Sequence, residues 1–239
     1  MADAAVSTAD EANEPFVGRP RPREGNRARE STVDRSFSLA AHLARTLTVA
    51  SAICALGIWL ARDAAWWAWL GVPGFWVIAN FFEWGVHRYP MHRKLRPRLL
   101  YVSHAIVHHN AFAGPDQEID DLVDLSVVMM PWYTLIIVFG MAAPIAVVAA
   151  LLGGPALAGV FLVSSVGYFL VYETIHTLHH VPRAWLEARW WGRARFLAWL
   201  RRHHHHHHQL ERMTKDNFNV TLPLADWVLG TYVRRQSVR

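Results

Sequence analysis

The sequence contains a single cysteine, Cys54, which lies inside an apolar run. One cysteine cannot build a disulfide framework, and zinc or iron–sulfur sites made of thiolates need several cysteines. Charge is also sparse, because Asp, Glu, Lys and Arg make up 18% of the chain while hydrophobic residues make up 53%. Any metal site must therefore use histidine or carboxylate ligands.

The chain also lacks a recognised nucleic-acid-binding motif, although its formal net charge is +5. Its basic residues flank apolar segments, and this placement suits contact with anionic lipid headgroups better than contact with a phosphate backbone. We therefore expect the bilayer, and no nucleic acid, as the partner of the basic residues.

Four long apolar runs predict an all-α integral membrane protein. A bilayer core requires roughly 20 apolar residues per helix, and each run comes near that length. Arg62 and Asp63 separate the first two runs, and Gly153, Gly154 and Pro155 separate the last two, which predicts two helical hairpins. The predicted spans are 47–61, 64–84, 132–152 and 156–172. Residues 1–37 are predicted to be a disordered basic tail, and 38–239 the membrane domain.

The distribution of lysine and arginine predicts the orientation of these spans. Seven lie before the first span, five between the second and third, and eleven after the fourth, whereas the two turns contain only Arg62. Cytoplasmic loops carry an excess of positive residues. We therefore expect both turns outside and both termini on the cytoplasmic side.

Histidine is the most unusual component of the chain. Of the 15 histidines, only His42 lies outside four clusters, which all fall on the predicted cytoplasmic side. Four clusters on one membrane face indicate a metal-binding site, since neutral imidazole is a common metal ligand. The clusters are His87 with His92; His104 with His108 and His109; His176 with His179 and His180; and the run 203–208.

The spacings predict which rings meet. Residues three or four apart share a helix face, so His104 with His108, His176 with His180, and His204 with His207 and His208 could each converge on one point. His87 and His92 are five apart around Pro90, which indicates a broken helix end. About ten ligands are too many for one ion and predict two. His203, His205 and His206 are expected to point outward or to lie behind the ligands.

The order and spacing of these clusters resemble the fatty acid hydroxylase/sterol desaturase superfamily. The segment 217–231, which reads NFNVTLPLADWVLGT, is similar to the closing segment of that family. Asn219, Ala225 and Leu229 depart from the usual residues there, but none of them is a ligand. The resemblance covers about residues 82–232.

The resemblance implies a four-span helical bundle with a cytosolic helical cap that holds a His-rich di-metal site. The metal is usually taken as iron, with zinc an alternative in the isolated protein, and the enzyme uses O2 to oxidise a C–H bond of a lipid, which could be a fatty acyl chain, a sterol, a sphingolipid or a carotenoid. Its two electrons would come from a separate donor such as a cytochrome, a ferredoxin or a reductase. By position, the implied metal ligands are His87, His92, His104, His108, His109, His176, His180, His204, His207 and His208; His179 fills a position that is histidine in some members.

Two acidic residues are candidates for orienting the ligands, because a metal-bound histidine generally donates its other N–H to a carboxylate or a carbonyl. Glu83 lies four residues before His87, and Glu173 lies three before His176. Each could share a helix face with its histidine. Glu83 could instead be a charge at the membrane interface.

The same ligands leave other reactions open. A desaturase or methyl oxidase would use the same site as a hydroxylase. A metal transporter or sensor is a different class, but transporters need polar ligands near the bilayer midplane, and the predicted spans contain almost none. A di-zinc lipid hydrolase is a third class, in which zinc would generate hydroxide.

Overall fold

The computed structural model describes residues 27–113 and 117–234, and every regular element in these ranges is helical. The all-α prediction is therefore confirmed for the described chain. Residues 1–26 of the predicted disordered tail lie outside the described residues. Residues 27–37, which were assigned to the same tail, instead form a first helix, α1 (Arg27–Thr32), and a turn.

Arg29 explains why this part of the tail is ordered. Its guanidinium is buried, donates to the carbonyl oxygen of Ala111 at 3.1 Å, and forms an ion pair with Asp120 at 3.1 Å. It also lies over the ring of Phe112, 4.5 Å from the centroid. A buried arginine is stable only when its charge and donors are satisfied. Helix α1 is thus held against the histidine-bearing part of the chain.

Among the described residues, two helices are long and apolar enough to cross a membrane, α2 (Leu39–Leu60) and α6 (Thr134–His180). They pack against each other at Gly57 and Gly159, where a Cβ on Gly159 would lie 2.4 Å from the carbonyl oxygen of Gly57. The backbone of α6 leaves helical geometry at Gly153 and at Gly154, which has φ of 70°. A positive φ is open mainly to glycine. The break lies at the predicted turn between the third and fourth spans.

A shorter apolar helix, α3 (Val72–Val86), follows a tryptophan-rich 3₁₀ segment (Trp66–Gly71) and packs against α6. α3 ends directly before the first histidine of the clusters. The remaining elements are short: a π-helical turn (His87–Met91), α4 (Arg98–Tyr101), a π-helical segment (Val102–His108), α5 (His109–Ala111), a 3₁₀ segment (Leu122–Val127), α7 (Arg183–Glu187), a 3₁₀ turn (Trp191–Arg193), α8 (Arg195–His207) and α9 (Leu224–Val228).

Candidate metal centre

Five of the clustered histidines lie in two π-helical segments or directly after them. A π-helix bonds residue i to residue i+5 and is frequent at functional sites, so it favours contact between residues five apart. His104 and His109 have this spacing, and their Nε2 atoms lie 3.2 Å apart. His87 and His92 are also five apart, with stacked rings whose centroids lie 5.0 Å apart. Pro90 lies inside the first segment.

Ten buried histidines form two separate groups of five. Within each group, one ring nitrogen from every residue lies within 4.8 Å of the others. The first group draws on both π-helical segments, α5 and α8, and the second on the second π-helical segment, the end of α6 and α8. We call them group A (His87, His92, His104, His109 and His207) and group B (His108, His176, His180, His204 and His208).

The division differs from the predicted convergence in two places. His104 and His108 were expected to meet at one point, but they lie in different groups, because the π-helical segment pairs His104 with His109 instead. In helix α8, His207 belongs to group A while His204 and His208 belong to group B. α8 therefore lies between the groups and contributes to both. The predicted pairing of His176 with His180 is confirmed.

Backbone carbonyls fix the tautomer of four of these rings. His108 and His180 each hold Nδ1 2.8 Å from a carbonyl oxygen, of Val127 and Gln117 respectively. His207 does the same with Asp216 at 2.8 Å, and His87 with Phe218. A carbonyl only accepts, so Nδ1 must carry the proton in each ring, and Nε2 of the neutral imidazole is left with a lone pair. All four lone pairs point into the groups.

The nitrogens of group B cannot all be satisfied by hydrogen bonds to one another. Their Nε2 atoms form four contacts in series: His176 to His108 at 3.2 Å, His108 to His208 at 3.1 Å, His208 to His204 at 3.0 Å, and His204 to His180 at 3.2 Å. Nε2 of His108 and Nε2 of His180 cannot donate, because the proton of each neutral ring is on Nδ1. The other three rings supply at most three protons for four contacts. At least one contact therefore has no proton between its two nitrogens, and a cation between the nitrogens would resolve it.

The nitrogen spacing fits such a cation. Imidazole nitrogen lies about 2.0–2.1 Å from a bound zinc ion, so two nitrogens at right angles around a similar ion lie about 3 Å apart. In group A, Nε2 of His87 lies 2.8 Å from that of His104, and Nε2 of His92 lies 3.0 Å from that of His207. The contacts of group B lie between 3.0 and 3.2 Å. Both groups therefore have the donor type and the spacing of a transition-metal site.

Burial keeps these rings neutral and ready to bind. It lowers the pKa of His108 to about 4, although the hydrogen bond to the Val127 carbonyl acts in the opposite direction. The pKa of His207 is also lowered well below its usual value by burial and then by the neighbouring His87. Neutral imidazole is the form that coordinates metal.

Four further histidines lie beside the groups without belonging to them. Nε2 of His179 lies 3.1 Å from the Val220 carbonyl oxygen, while its ring stacks on His204. His205 places Nε2 2.7 Å from the carbonyl oxygen of His179. His203 and His206 were predicted either to point outward or to lie behind the ligands. Both are buried, so neither points outward.

Glu83 and Glu173 were predicted to orient His87 and His176, but their carboxylates have other hydrogen-bond partners. The Glu83 carboxylate accepts hydrogen bonds from the Tyr168 hydroxyl at 2.5 Å and from the N–H groups of Val220 and Thr221 at 2.5 and 3.2 Å. The Glu173 carboxylate is buried and accepts from the N–H of Met130 at 3.4 Å. Backbone carbonyls hold the four oriented rings instead. Sequence reasoning missed these carbonyls because a main-chain acceptor leaves no residue-type signal.

One buried carboxylate organises the closing segment. Asp226 accepts from the N–H of Phe218 at 3.0 Å and of Asn219 at 2.8 Å, and from the Thr231 hydroxyl at 2.6 Å. Nε2 of His203 lies 3.2 Å from the same carboxylate. Burial alone would raise the pKa of Asp226, but the hydrogen bonds from His203 and Thr231 leave it lowered. An ionised Asp226 thus holds the loop whose Phe218 carbonyl orients His87.

Comparison with known proteins connects this site to one family. The sequence model of the family described as fatty acid hydroxylase matches residues 72–231, a stretch that includes α3, both histidine groups and the closing segment. No curated protein and no solved structure matches the chain.

Proposed function

Because the chain belongs to the fatty acid hydroxylase family, we propose that it is a membrane-bound di-iron oxygenase that hydroxylates an unactivated C–H bond of a lipid. The observation that carries the proposal is the pair of five-histidine groups, buried side by side and shared by helix α8. The family implies an oxidoreductase and a membrane protein. The metal, the substrate and the reaction type are the proposed parts.

The proposed architecture is a four-span bundle under a cytosolic helical cap, with both termini on the cytoplasmic side. α2, α3 and the two halves of α6 would be the spans. Large apolar side chains such as Ile136, Val147 and Leu151 are more than half exposed, which suits contact with lipid tails. The scarcity of lysine and arginine in the two turns supports this orientation.

Group A and group B would each hold one iron ion. Bound iron supplies the activation of O2 and the oxidation of the C–H bond, while the protein supplies binding and orientation. The overall reaction consumes one C–H bond, O2, two electrons and two protons, and yields C–OH and water. The electrons would come from a separate one-electron protein donor, since no haem, flavin or ferredoxin motif is visible in the sequence.

A cavity between α3 and α6 suits an apolar substrate chain. It has a volume of about 80 Å³, reaches His87 of group A, and is lined mainly by aliphatic and aromatic side chains, among them Phe82, Phe161, Phe169 and Tyr172. Ligand pockets commonly have such a predominantly apolar lining. Closing such a cavity around a hydrocarbon chain would exclude water from group A. We call it the inner cavity.

The ties at Glu83 support a positioning role for this residue. Its carboxylate joins α3, through its own backbone, to Tyr168 of α6 and to Val220 and Thr221 of the closing segment. These contacts hold together the walls of the inner cavity and the loop that orients His87. Glu83 and Glu173 thus remain candidates for positioning residues, acting through other groups.

The proposal is tested with protein purified without a histidine-affinity step, loaded with iron, and supplied with O2, a reductant and a lipid extract. We expect a lipid product heavier by one oxygen atom, formed only when O2 and reductant are both present. A product lighter by two hydrogens would indicate a desaturase instead. Oxygen-independent lipid cleavage, especially with zinc, would refute the oxygenase proposal.

A further inference from the structure

A second cavity approaches the metal centre from another direction. It has a volume of about 250 Å³ and is lined by His104 of group A and by His108 and His176 of group B. Its wall also includes polar side chains, namely Thr32, Asp34, Ser103 and Ser126. We call it the outer cavity. The inner cavity, by contrast, touches only His87 among the ten grouped histidines.

Met91 and Met130 line both cavities. They pack in one cluster with Val86 and Leu100, where Met91 is 4% exposed. The methionine side chain is flexible and adapts to irregular apolar surfaces. The boundary between the cavities is therefore made of side chains that can change rotamer without breaking a hydrogen bond.

Each methionine is tied to the metal centre through the backbone. Met91 ends the π-helical turn and directly precedes His92 of group A. The N–H of Met130 donates to Glu173 at 3.4 Å, and Glu173 lies three residues before His176 of group B. The position of this boundary is thus coupled to both groups. This tie also gives a role to the buried carboxylate of Glu173.

Resting on the proposed lipid oxidation, we propose that Met91 and Met130 form a gate through which one flexible hydrocarbon chain of the substrate passes, so that the chain occupies both cavities at once. The apolar end of the chain lies in the inner cavity, and the polar end lies toward Thr32, Asp34 and Ser126. The carbon between the cavities faces His87, His104 and His176. The oxidised carbon is therefore internal, away from both ends of the chain.

The gate also selects the substrate class. A flexible acyl or alkyl chain can thread between two methionine side chains, whereas a rigid polycyclic lipid such as a sterol has no flexible segment with which to do so. The structure assigns Met130 as the residue that sets which carbon is oxidised. Met91 is the less suitable position for a test, because it adjoins a metal ligand.

The test compares Met130→Trp and Met130→Ala with matched substitutions at Met141. Met141 packs against the same apolar cluster but lines neither cavity. We expect Met130→Trp to lower product formation about a hundredfold, the scale of loss seen when a reacting atom is misplaced, while both metal ions are retained. Met130→Ala should broaden the set of oxidised positions, measured by mass spectrometry of the product lipids. Both Met141 variants should match the wild type.

Binding of a stearic acid that carries a nitroxide label in mid-chain separates this proposal from the proposed reaction. The label should be immobilised by the wild type and by Met130→Ala, and released by Met130→Trp, whether or not the protein turns over. An inactive wild type that still shows this pattern would refute the oxygenase proposal and leave the gate intact. Equal immobilisation by Met130→Trp and Met141→Trp, oxidation at a chain terminus, or oxidation of a sterol would overturn the gate.

Discussion

Replacing Asp226 with asparagine should destabilise the protein and loosen group A, although Asp226 is not a candidate metal ligand. The carboxylate is fully buried and has four hydrogen-bonding neighbours. Oδ1 accepts from the N–H of Phe218 and the hydroxyl of Thr231, while Oδ2 faces the N–H of Asn219 and Nε2 of His203. Asparagine has nearly the same shape but only one acceptor oxygen.

The size of the effect follows from counting donors. In either orientation of the asparagine amide, its NH2 group faces the backbone N–H of Asn219 or of Phe218, and that donor is left without an acceptor. A buried donor that loses its partner costs about 1–3 kcal/mol. In a chain of this length each kcal/mol lowers Tm by about 2–4 °C. A decrease in Tm of several degrees is therefore expected.

The effect on the metal is indirect. Phe218 donates its N–H to Asp226 and accepts from Nδ1 of His87 through its carbonyl. The Phe218 carbonyl lies between the N–H groups of Phe218 and Asn219, which both donate to Asp226, so loss of either bond loosens the carbonyl that orients the ring of His87. Losing a partner that orients a metal ligand typically costs 10–100-fold in metal affinity. Group A should therefore lose its ion at a chelator concentration that leaves group B loaded.

Asp63→Asn is the matched control, because it removes the same charge from a side chain that is 85% exposed and paired only with its neighbour Arg62. Thermal unfolding and metal content under graded chelator are measured for both variants. If Asp226→Asn keeps the Tm and the metal retention of Asp63→Asn, the closing segment does not orient group A and the reasoning fails.

Four further outcomes are expected. His108→Ala and His109→Ala alter adjacent residues of different groups, so each should retain about one of two metal ions and the double variant none; loss of both ions from either single variant would contradict two separate groups. His207→Ala should lower metal content and activity more than His205→Ala, since only His207 belongs to a group, and equal losses would refute that difference. His179→Gln should keep both ions, because Nε2 of His179 faces the Val220 carbonyl; loss of an ion would make His179 a ligand. Burial lowers the pKa of His108 to about 4 from a usual value of 6.5, so between these pH values His108 binds a proton in the unfolded metal-free chain but not in the folded chain. The free energy of unfolding should therefore fall as the pH falls. Thermal unfolding of metal-free protein at several pH values would check this.

The sequence was sufficient to identify the ligand residues as candidates but not to sort them. All ten grouped histidines are among the predicted ligands, because their clustering and order are visible in the chain. The rings of His104 and His108 stack with their centroids 5.2 Å apart. The prediction that they converge on one point was wrong, since it assumed α-helical spacing where the backbone is π-helical. The five-residue spacing of His104 and His109 was the available signal. The carbonyls that orient the rings come from distant segments and could not be predicted.

The six-histidine run shows why sequence spacing and site geometry diverge. Three rings on one side of α8 enter the two groups, and two of the others have partners of their own. His203 faces Asp226, and His205 faces the carbonyl of His179. These two contacts tie α8 to the closing segment and to α6. The closing segment supplies the Phe218 carbonyl that orients His87, and α6 supplies His176 of group B. A helix that serves two ions must be held in rotation as well as position, because a rotation of about 100°, the angle between successive residues, would move each ring into its neighbour's place and take ligands out of both groups. The histidines outside the groups thus fix the rotation on which the sharing of α8 depends.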